Sequence, residues 1–284
     1  MSTATRVEAE GYALHVRAVA GVESCVYVES VDVAFDMGCC AHHAANKAHV
    51  FITHGHADHI SAFASHAARR SLQRMRPAKY YVPAHLVDHM QSIMHSYSAM
   101  QGDEIQADII PMEPFEEVHI SAQWMVKAFP TVHRVPSQGY ILYRKQHRLK
   151  DEFIGLSGKE IAALKREGCE VATASVTPEI AYTGDTTAQI FESSSTLGEQ
   201  LGGDLLSVKV LITEATYVGD DKSPSDATSR GHIHLDQLIA LEGRFERIGT
   251  IVLVHFSARY SHEQLAELIA HKVPASLRSK LRIG

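Results

Sequence analysis

Residues 53–59 read Thr-His-Gly-His-Ala-Asp-His and hold four potential metal ligands: His54, His56, Asp58 and His59. The apolar run 49–52 before them predicts a short buried strand, and the apolar spacing of 60–75 after them predicts a helix. On such a strand-to-helix turn, imidazole and carboxylate groups can converge on one point, and both suit zinc. Four ligands exceed what one open catalytic zinc needs, so the pattern favours two ions. The first two histidines would hold one ion, and Asp58 with His59 the other.

A chance cluster is the alternative explanation for this stretch. The chain has 19 histidines, and a lone His-x-His is usually a solvated turn. Four ligands in this order at the end of a buried strand are much harder to attribute to chance.

Several later segments place polar residues directly after predicted strands. His133 follows the predicted strand 118–129 and begins His-Arg-Val-Pro-Ser-Gln-Gly-Tyr, and Asp185 ends Tyr-Thr-Gly-Asp-Thr. Thr-Glu-Ala-Thr at 213–216 ends another strand, Gly-His-Ile-His occupies 231–234, and His-Phe-Ser-Ala-Arg-Tyr at 255–260 follows strand 250–254. Alone, each of these segments is a weak signal, since a polar residue at a strand end is commonly a cap or turn residue.

Together these motifs resemble a known family along nearly the whole chain. Residues 53–59 resemble the signature of the metallo-β-lactamase fold. The segments at 133–140, 213–216, 231–234 and 255–260 narrow the resemblance to tRNase Z, the endonuclease that trims the 3′ end of precursor tRNA, in its short, plant-type form. The resemblance implies an α/β fold, a four-layer αββα sandwich, in a single domain over 1–284. Strands that alternate with helices independently indicate two packed sheets with helices outside.

The resemblance also implies roles for individual residues. His54, His56 and His133 would bind one zinc ion, Asp58, His59 and His255 a second, and Asp185 would bridge the two, although other divalent metals are compatible. A water between the ions, its pKa lowered towards ~7, would attack the phosphodiester, and Asp58 would help to hold that water. Glu214 would orient His232, which would protonate the leaving oxygen. For His232 a helix-cap role is the alternative.

Asp36, in Asp-Met-Gly after an early strand, is a further candidate. The fold implies that it orients a metal-binding histidine, and a plain turn aspartate is the alternative.

Composition bounds the partners and the location. At 45% hydrophobic and 21% charged the chain is ordinarily globular, with no membrane-length apolar run and no apolar secretory segment. This predicts a cytoplasmic location, with a nuclear pool also compatible, and four reduced cysteines. The net charge of −6 is unusual for a nucleic-acid enzyme, although basic residues cluster at 69–79 and 144–150.

Residues 144–177 do not continue the pattern of predicted strands, and this predicts a small inserted arm. A Ser-x-x-Glu capping box at Ser157 precedes a predicted helix over 159–167. By resemblance the arm would grip the tRNA elbow, and a plain surface hairpin is the alternative. The candidate RNA contacts are Arg144, Lys145, Arg148, Lys150, Lys165, Arg166 and Arg259, and for Arg259 an internal salt bridge is equally compatible.

Some features keep other readings open. Thr213 and residues 233–234 depart from the family's His-Glu-Ala-Thr and His-Ser-Thr motifs. Residues 18–24 lack the Pro-x-Lys-x-Arg-Asn loop with which bacterial forms of the family reject mature CCA ends, so the sequence does not predict that rejection. A homodimer is expected from the family. The alternatives are a hydrolase of the same fold acting on a small phosphodiester, thioester or lactam, and a non-catalytic RNA- or protein-binding relative.

Overall fold

Two β-sheets packed face to face form the centre of the molecule. The computed structural model describes residues 4–41, 43–192, 200–201 and 203–284. The strands are β1 (Thr5–Ala9), β2 (Tyr12–Ala20), β3 (Glu23–Val28), β4 (Val33–Phe35), β5 (His49–Phe51), β6 (Ala78–Val82), β7 (Ala107–Pro111), β8 (Glu117–His119), β9 (Trp124–Pro130), β10 (Gln138–Leu149), β11 (Ala172–Tyr182), β12 (Val210–Glu214), β13 (Thr250–Val254), β14 (Phe256–Ser257) and β15 (Leu281–Ile283).

The helices lie outside these sheets. The α-helices are α1 (Ala57–Ile60), α2 (Phe63–Leu72), α3 (Val87–Gln101), α4 (Gly158–Arg166), α5 (Pro224–Ser229), α6 (Leu235–Ala240), α7 (His262–Lys272) and α8 (Ala275–Arg278). Short 3-10 helices cover Ala44–Asn46, Ala84–Leu86, Asp151–Phe153, Ala188–Phe191, Asp204–Leu206 and Glu242–Phe245. Among the described residues, no helix combines the length and apolarity that crossing a bilayer requires.

Both sheets are mixed, and this brings several strand ends to one edge. The first sheet runs β1-β2-β3-β4-β5-β6-β7, with β14 beside β2, and the second runs β15-β13-β12-β11-β10-β9-β8. Strands β4 to β7 pair in parallel, as do β11, β12, β13 and β15. Because the carboxyl ends of parallel strands meet at one edge, the loops after them can build a common site.

Three apolar layers hold the sheets and helices together. Between the sheets lie fully buried side chains such as Phe35, Phe51 and Tyr140. Phe63 and Met90 join α2 and α3 to the outer face of the first sheet, while Leu238 and Ile269 join α6 and α7 to the second. The predicted αββα sandwich is therefore confirmed.

Several predicted elements need correction. The helix predicted over 60–75 is interrupted, since α1 ends at Ile60 and α2 begins at Phe63, and the strand predicted over 118–129 is split between β8 and β9. Strand β1 was not predicted, because only antiparallel pairing with β2 orders that polar segment.

The arm is mainly a β-ribbon, contrary to the predicted loss of strand structure after residue 144. Strands β10 and β11 stay paired out to Leu149 and Ala172. Much of the ribbon is exposed, so no buried face imposes an alternating apolar pattern. At its tip the predicted capping box is present, with Ser157 N–H donating to Glu160 Oε2 at 2.7 Å, and α4 follows.

Candidate metal centre and active site

The predicted ligands lie on loops at one edge of the sandwich. His54 and His56 follow β5, and Asp58 and His59 lie in the first turn of α1. The other three follow the carboxyl ends of β9, β11 and β13: His133, Asp185 and His255. Residues up to 201 positions apart in the sequence therefore meet through strand order alone.

His54, His56 and His133 converge with Asp185 in one cluster. His56 Nδ1 lies 2.9 Å from His54 Nε2 and 3.2 Å from His133 Nε2. Asp185 Oδ2 is 3.8 Å from His54 Nε2 and 3.9 Å from His133 Nε2. All four ligand atoms lie within 4.8 Å of one another, a spacing that one metal ion can span.

Asp58, His59 and His255 form a second cluster beside the first. Asp58 Oδ2 is 3.3 Å from His255 Nε2 and 3.6 Å from His59 Nε2. Asp185 Oδ1 lies 3.4 Å from His59 Nε2 and 3.2 Å from His255 Nδ1. Asp185 thus directs one carboxylate oxygen towards each cluster, as a bridging ligand would.

Hydrogen bonds on the far side of the rings fix which nitrogen faces the centre. His59 Nδ1 lies 2.8 Å from Asp36 Oδ2, and His133 Nδ1 lies 2.7 Å from the carbonyl oxygen of Gly231. His54 Nδ1 is 2.9 Å from the Thr53 hydroxyl, which donates to Asp36. With Nδ1 as the donor in each ring, Nε2 presents its lone pair to the centre.

Asp36 itself is fully buried and adopts φ +58°, which is uncommon outside glycine. Its carboxylate also accepts hydrogen bonds from Thr53 N–H at 2.8 Å and from the Tyr182 hydroxyl at 2.8 Å. Asp36 therefore contacts His59 directly and His54 through Thr53, so it does more than form a turn.

The electrostatics of the two clusters fit cations. Burial lowers the pKa of His54, His56 and His133, so these rings stay neutral and can act as ligands. Asp185 Oδ1 is a buried oxygen without a hydrogen-bond partner among the described residues. Such an orphaned carboxylate oxygen between ring nitrogens is costly unless a cation pairs with it.

The two carboxylates of the site remain anionic. Burial opposes the charged form of Asp185, but the nearby His255 and His59 hold its pKa well below the usual range. Burial likewise opposes ionisation of Asp58, but the hydrogen bond with His255 and the charges of His59 and His255 together lower its pKa. The neutral imidazoles of the first cluster and these ionised carboxylates are the donors that a zinc site uses. Burial opposes the charged form of His59, but Asp185 and Asp36 raise its pKa, so this ring would release a proton when a metal binds.

Glu214 and His232 form a hydrogen-bonded pair beside the clusters. His232 Nδ1 lies 3.0 Å from Glu214 Oε1, while its ring centroid lies 5.2 Å from that of His133. Burial disfavours the charged ring, but the Glu214 carboxylate prevails and raises the pKa of His232 to about 9. A partly exposed imidazolium next to the centre can donate a proton. The alternative cap role belongs instead to His234, which accepts from Asp236 N–H at the start of α6.

Two glycine-containing segments close around Asp58. Gly21 N–H, in the β2–β3 turn, donates to Asp58 Oδ2 at 2.9 Å. A Cβ at Gly38 would lie 1.6 Å from the Asp58 carbonyl oxygen, so the backbone there requires glycine. Neither contact was predicted, because one depends on where the β2–β3 turn lies and the other on how the loop after β4 packs against α1.

The candidate RNA contacts lie in two other places. The basic residues of the arm lie on the outer half of β10, just after it and on α4. The metal loops lie at the other end of β10. Arg259 pairs with Asp221 and donates to Ser257 Oγ at 3.0 Å, which supports the salt-bridge alternative. Within the basic run at 69–79, Arg70 is buried and bonds to backbone carbonyls.

Sequence reasoning missed two threonines that tie the site together. Thr53 links Asp36 to His54, and Thr216 Oγ1 donates to Glu214 and lies 3.3 Å from His255 Nδ1. Both flank predicted site residues, so proximity to the motifs was the only available signal.

The chain is similar in sequence and in fold to proteins that are already known. The model of a β-lactamase superfamily domain matches residues 40–256. The chain is 35% identical to tRNase Z TRZ1 of Arabidopsis thaliana over 94% of this chain and 93% of that protein. It is 36% identical to the nuclear ribonuclease Z of Triticum aestivum over 58% of this chain and 94% of that protein. The crystal structure of the short form of human tRNase Z has a TM-score of 0.60 and 19% identity, covering 95% of this chain and 93% of that one.

Proposed function

The chain belongs to the tRNase Z family of the β-lactamase superfamily, and from that premise we propose that it is a metal-dependent endoribonuclease that removes the 3′ trailer from precursor tRNA. The observation that carries the proposal is the pair of His/Asp clusters that share Asp185, with a proton donor beside them. A binding module would need neither feature.

We propose two zinc ions per chain. His54, His56 and His133 would hold one, Asp58, His59 and His255 the other, and Asp185 both, which leaves each ion an open position. Bound there, the ions would supply Lewis acidity and a water that ionises near neutral pH. Asp58, whose side chain is 11% exposed and lies beside His59 and His255, would hold the proton of that water.

His232 acts at the opposite side of the reacting phosphorus as the proton donor. Its raised pKa keeps it charged at neutral pH, and Glu214, fully buried, fixes its ring through Nδ1. Its Nε2, which has no hydrogen bond among the described residues, can protonate the departing ribose oxygen, so the tRNA would end in a 3′-hydroxyl and the trailer would begin with a 5′-phosphate.

The arm is proposed to hold the RNA away from the chemistry. Over residues 144–177 it has seven Lys or Arg and five Asp or Glu, a charge of +2 on a chain of −6. Its basic residues would contact phosphates, whose binding is mainly electrostatic.

A homodimer and a cytoplasmic or nuclear location stay predictions. Leu72 and Met100, at the ends of α2 and α3, are apolar side chains with exposed fractions of 86% and 74%, and are candidates for such an interface. Light scattering of the purified chain tests the dimer.

An end-mapped cleavage assay on a precursor tRNA tests the function. The wild type should make one cut after the last tRNA nucleotide, and His54→Ala should abolish it. His95→Ala, which changes an exposed histidine on α3, should not. Turnover of bis-p-nitrophenyl phosphate or a lactam without any cut in the tRNA would instead support a small-molecule hydrolase. Fewer than two metal ions per chain after gentle purification would contradict the dinuclear centre.

A further inference from the structure

Arg134 lies at the mouth of the site, directly after the ligand His133. It is exposed, and among the described residues its guanidinium has no carboxylate partner and no hydrogen bond. By contrast, Arg259 pairs with Asp221, and Lys272 pairs with Asp220 and Asp236. Arg134 is therefore a cation at the mouth that no acidic group of the described chain neutralises.

The loop that carries Arg134 is held at several points. Thr131 N–H donates to the Ser137 carbonyl oxygen at 3.2 Å, and their hydroxyl groups lie 2.7 Å apart. Val132 N–H donates to Thr186 Oγ1 at 3.2 Å, and Thr187 N–H donates to the Val132 carbonyl oxygen at 2.8 Å. The loop thus presents Arg134 from a fixed backbone.

Arg134 packs against the backbone next to the proton donor. A Cβ at Gly231 would lie 3.2 Å from Arg134 Cγ, 3.1 Å from its backbone nitrogen and 2.7 Å from His133 Nδ1. Gly231 has φ +78° and directly precedes His232. The glycine therefore leaves room for the Arg134 side chain next to the backbone that leads into His232, the proposed proton donor to the leaving oxygen.

We propose that Arg134 binds the backbone phosphate that precedes the last retained tRNA nucleotide, and so positions the ribose oxygen for His232. The inference rests on the proposed function, because it takes the leaving oxygen to be that of the tRNA. On the leaving side, the neighbouring anion of an RNA chain is the phosphate one nucleotide before the cut. A guanidinium can bind two oxygens of one phosphate with a planar fork, which a single ammonium cannot.

The test removes the arginine and the phosphate charge separately and together. Arg134→Gln and Arg134→Lys are assayed on a precursor tRNA with an ordinary backbone. The same RNA is also made with one neutral methylphosphonate, either before the last tRNA nucleotide or after the first trailer nucleotide. Arg247→Gln is the matched control, since Arg247 is an exposed arginine just before β13, at the edge opposite the metal loops.

Arg134→Gln should lower kcat/KM on precursor tRNA by about 10- to 100-fold, and Arg134→Lys by less, because the charge remains without the fork. In the wild type, the methylphosphonate before the last tRNA nucleotide should lower kcat/KM by a similar factor. In Arg134→Gln, the same methylphosphonate should cause little further loss. Metal content and Tm should match the wild type, and Arg247→Gln should cleave normally.

Several results would overturn the inference. One is an equal cost of that methylphosphonate in the wild type and in Arg134→Gln. Another is that the effects of Arg134→Gln and of the methylphosphonate overlap only when the methylphosphonate is in the trailer. A third is a loss of kcat/KM in Arg134→Gln that is no larger than the loss in Arg247→Gln. A wild type that does not cut precursor tRNA at all would refute the proposed function itself, which distinguishes the two failures.

Discussion

Replacing Glu214 by Gln should remove the proton donor without removing a metal ligand. Glu214 is fully buried, and its two oxygens accept from Thr186 N–H at 2.8 Å, Ile233 N–H at 3.1 Å, the Thr216 hydroxyl and His232 Nδ1. The glutamine side chain keeps the shape of glutamate but has no charge. Its NH2 group would face a hydrogen-bond donor where a carboxylate oxygen accepted before. Burial then acts on His232 without the carboxylate that opposes it.

The size of the effect follows from the pKa of His232. In the wild type it is about 9, so at pH 8 roughly 90% of the ring is protonated. If it returns towards the ordinary value of about 6.5, about 3% is protonated at pH 8. The acid form, and with it kcat on precursor tRNA, should fall about 30-fold, and the loss should shrink as the pH is lowered to 6.

A pH–rate profile measures this prediction. The group acts in its protonated form, so its contribution to activity is present below its pKa and is lost as pH rises through it; this loss should occur at a lower pH in Glu214→Gln than in the wild type. The loss should be much smaller on bis-p-nitrophenyl phosphate, whose leaving group departs without a proton. Glu179→Gln changes another buried carboxylate, paired with Tyr12 and Lys209 instead, and should keep the wild-type profile.

His232 is not the proton donor if Glu214→Gln leaves the basic limb of the pH–rate profile in place. The same conclusion holds if both substrates lose the same factor, since that would indicate general damage to the centre.

Three further predictions concern stability and the arm. Burial lowers the pKa of His66 to about 4, so between about pH 6.5 and 4 the unfolded chain binds a proton that the native chain does not bind. The free energy of unfolding, measured with urea, should therefore fall by about 3 kcal/mol over this pH range. The fall should be smaller in His66→Gln. Gly38→Ala should lower both Tm and metal content, because its Cβ would overlap the Asp58 carbonyl, whereas Gly243→Ala, with open space around it, should do neither; an unaffected Gly38→Ala protein would contradict the close packing. Replacing residues 151–170 by an Asn-Gly turn should raise KM for precursor tRNA while sparing bis-p-nitrophenyl phosphate, and an equal loss on both would argue against an RNA-binding arm.

The local features of the site could be predicted from the sequence. Residues 53–59 indicate a metal turn because the ligand types and the strand before them are adjacent in the chain. The strand over 250–254 and the capping box at Ser157 were predicted for the same reason, since each depends on a few consecutive residues. Where both faces of a segment are exposed, as in the ribbon of β10 and β11, no pattern marks the strand.

Other features were decided only by the tertiary structure. Each of these features joins residues that are far apart in sequence. They are the directions of the two Asp185 oxygens, the link from Asp36 through Thr53 to His54, and the pairing of Arg259 with Asp221. The physical reason is that a residue's type is fixed locally, whereas its partner depends on strand order and on how the two sheets close. Residue types along the chain therefore specify which side chains could bind metal and move protons, and the packing of the sandwich specifies which of them meet.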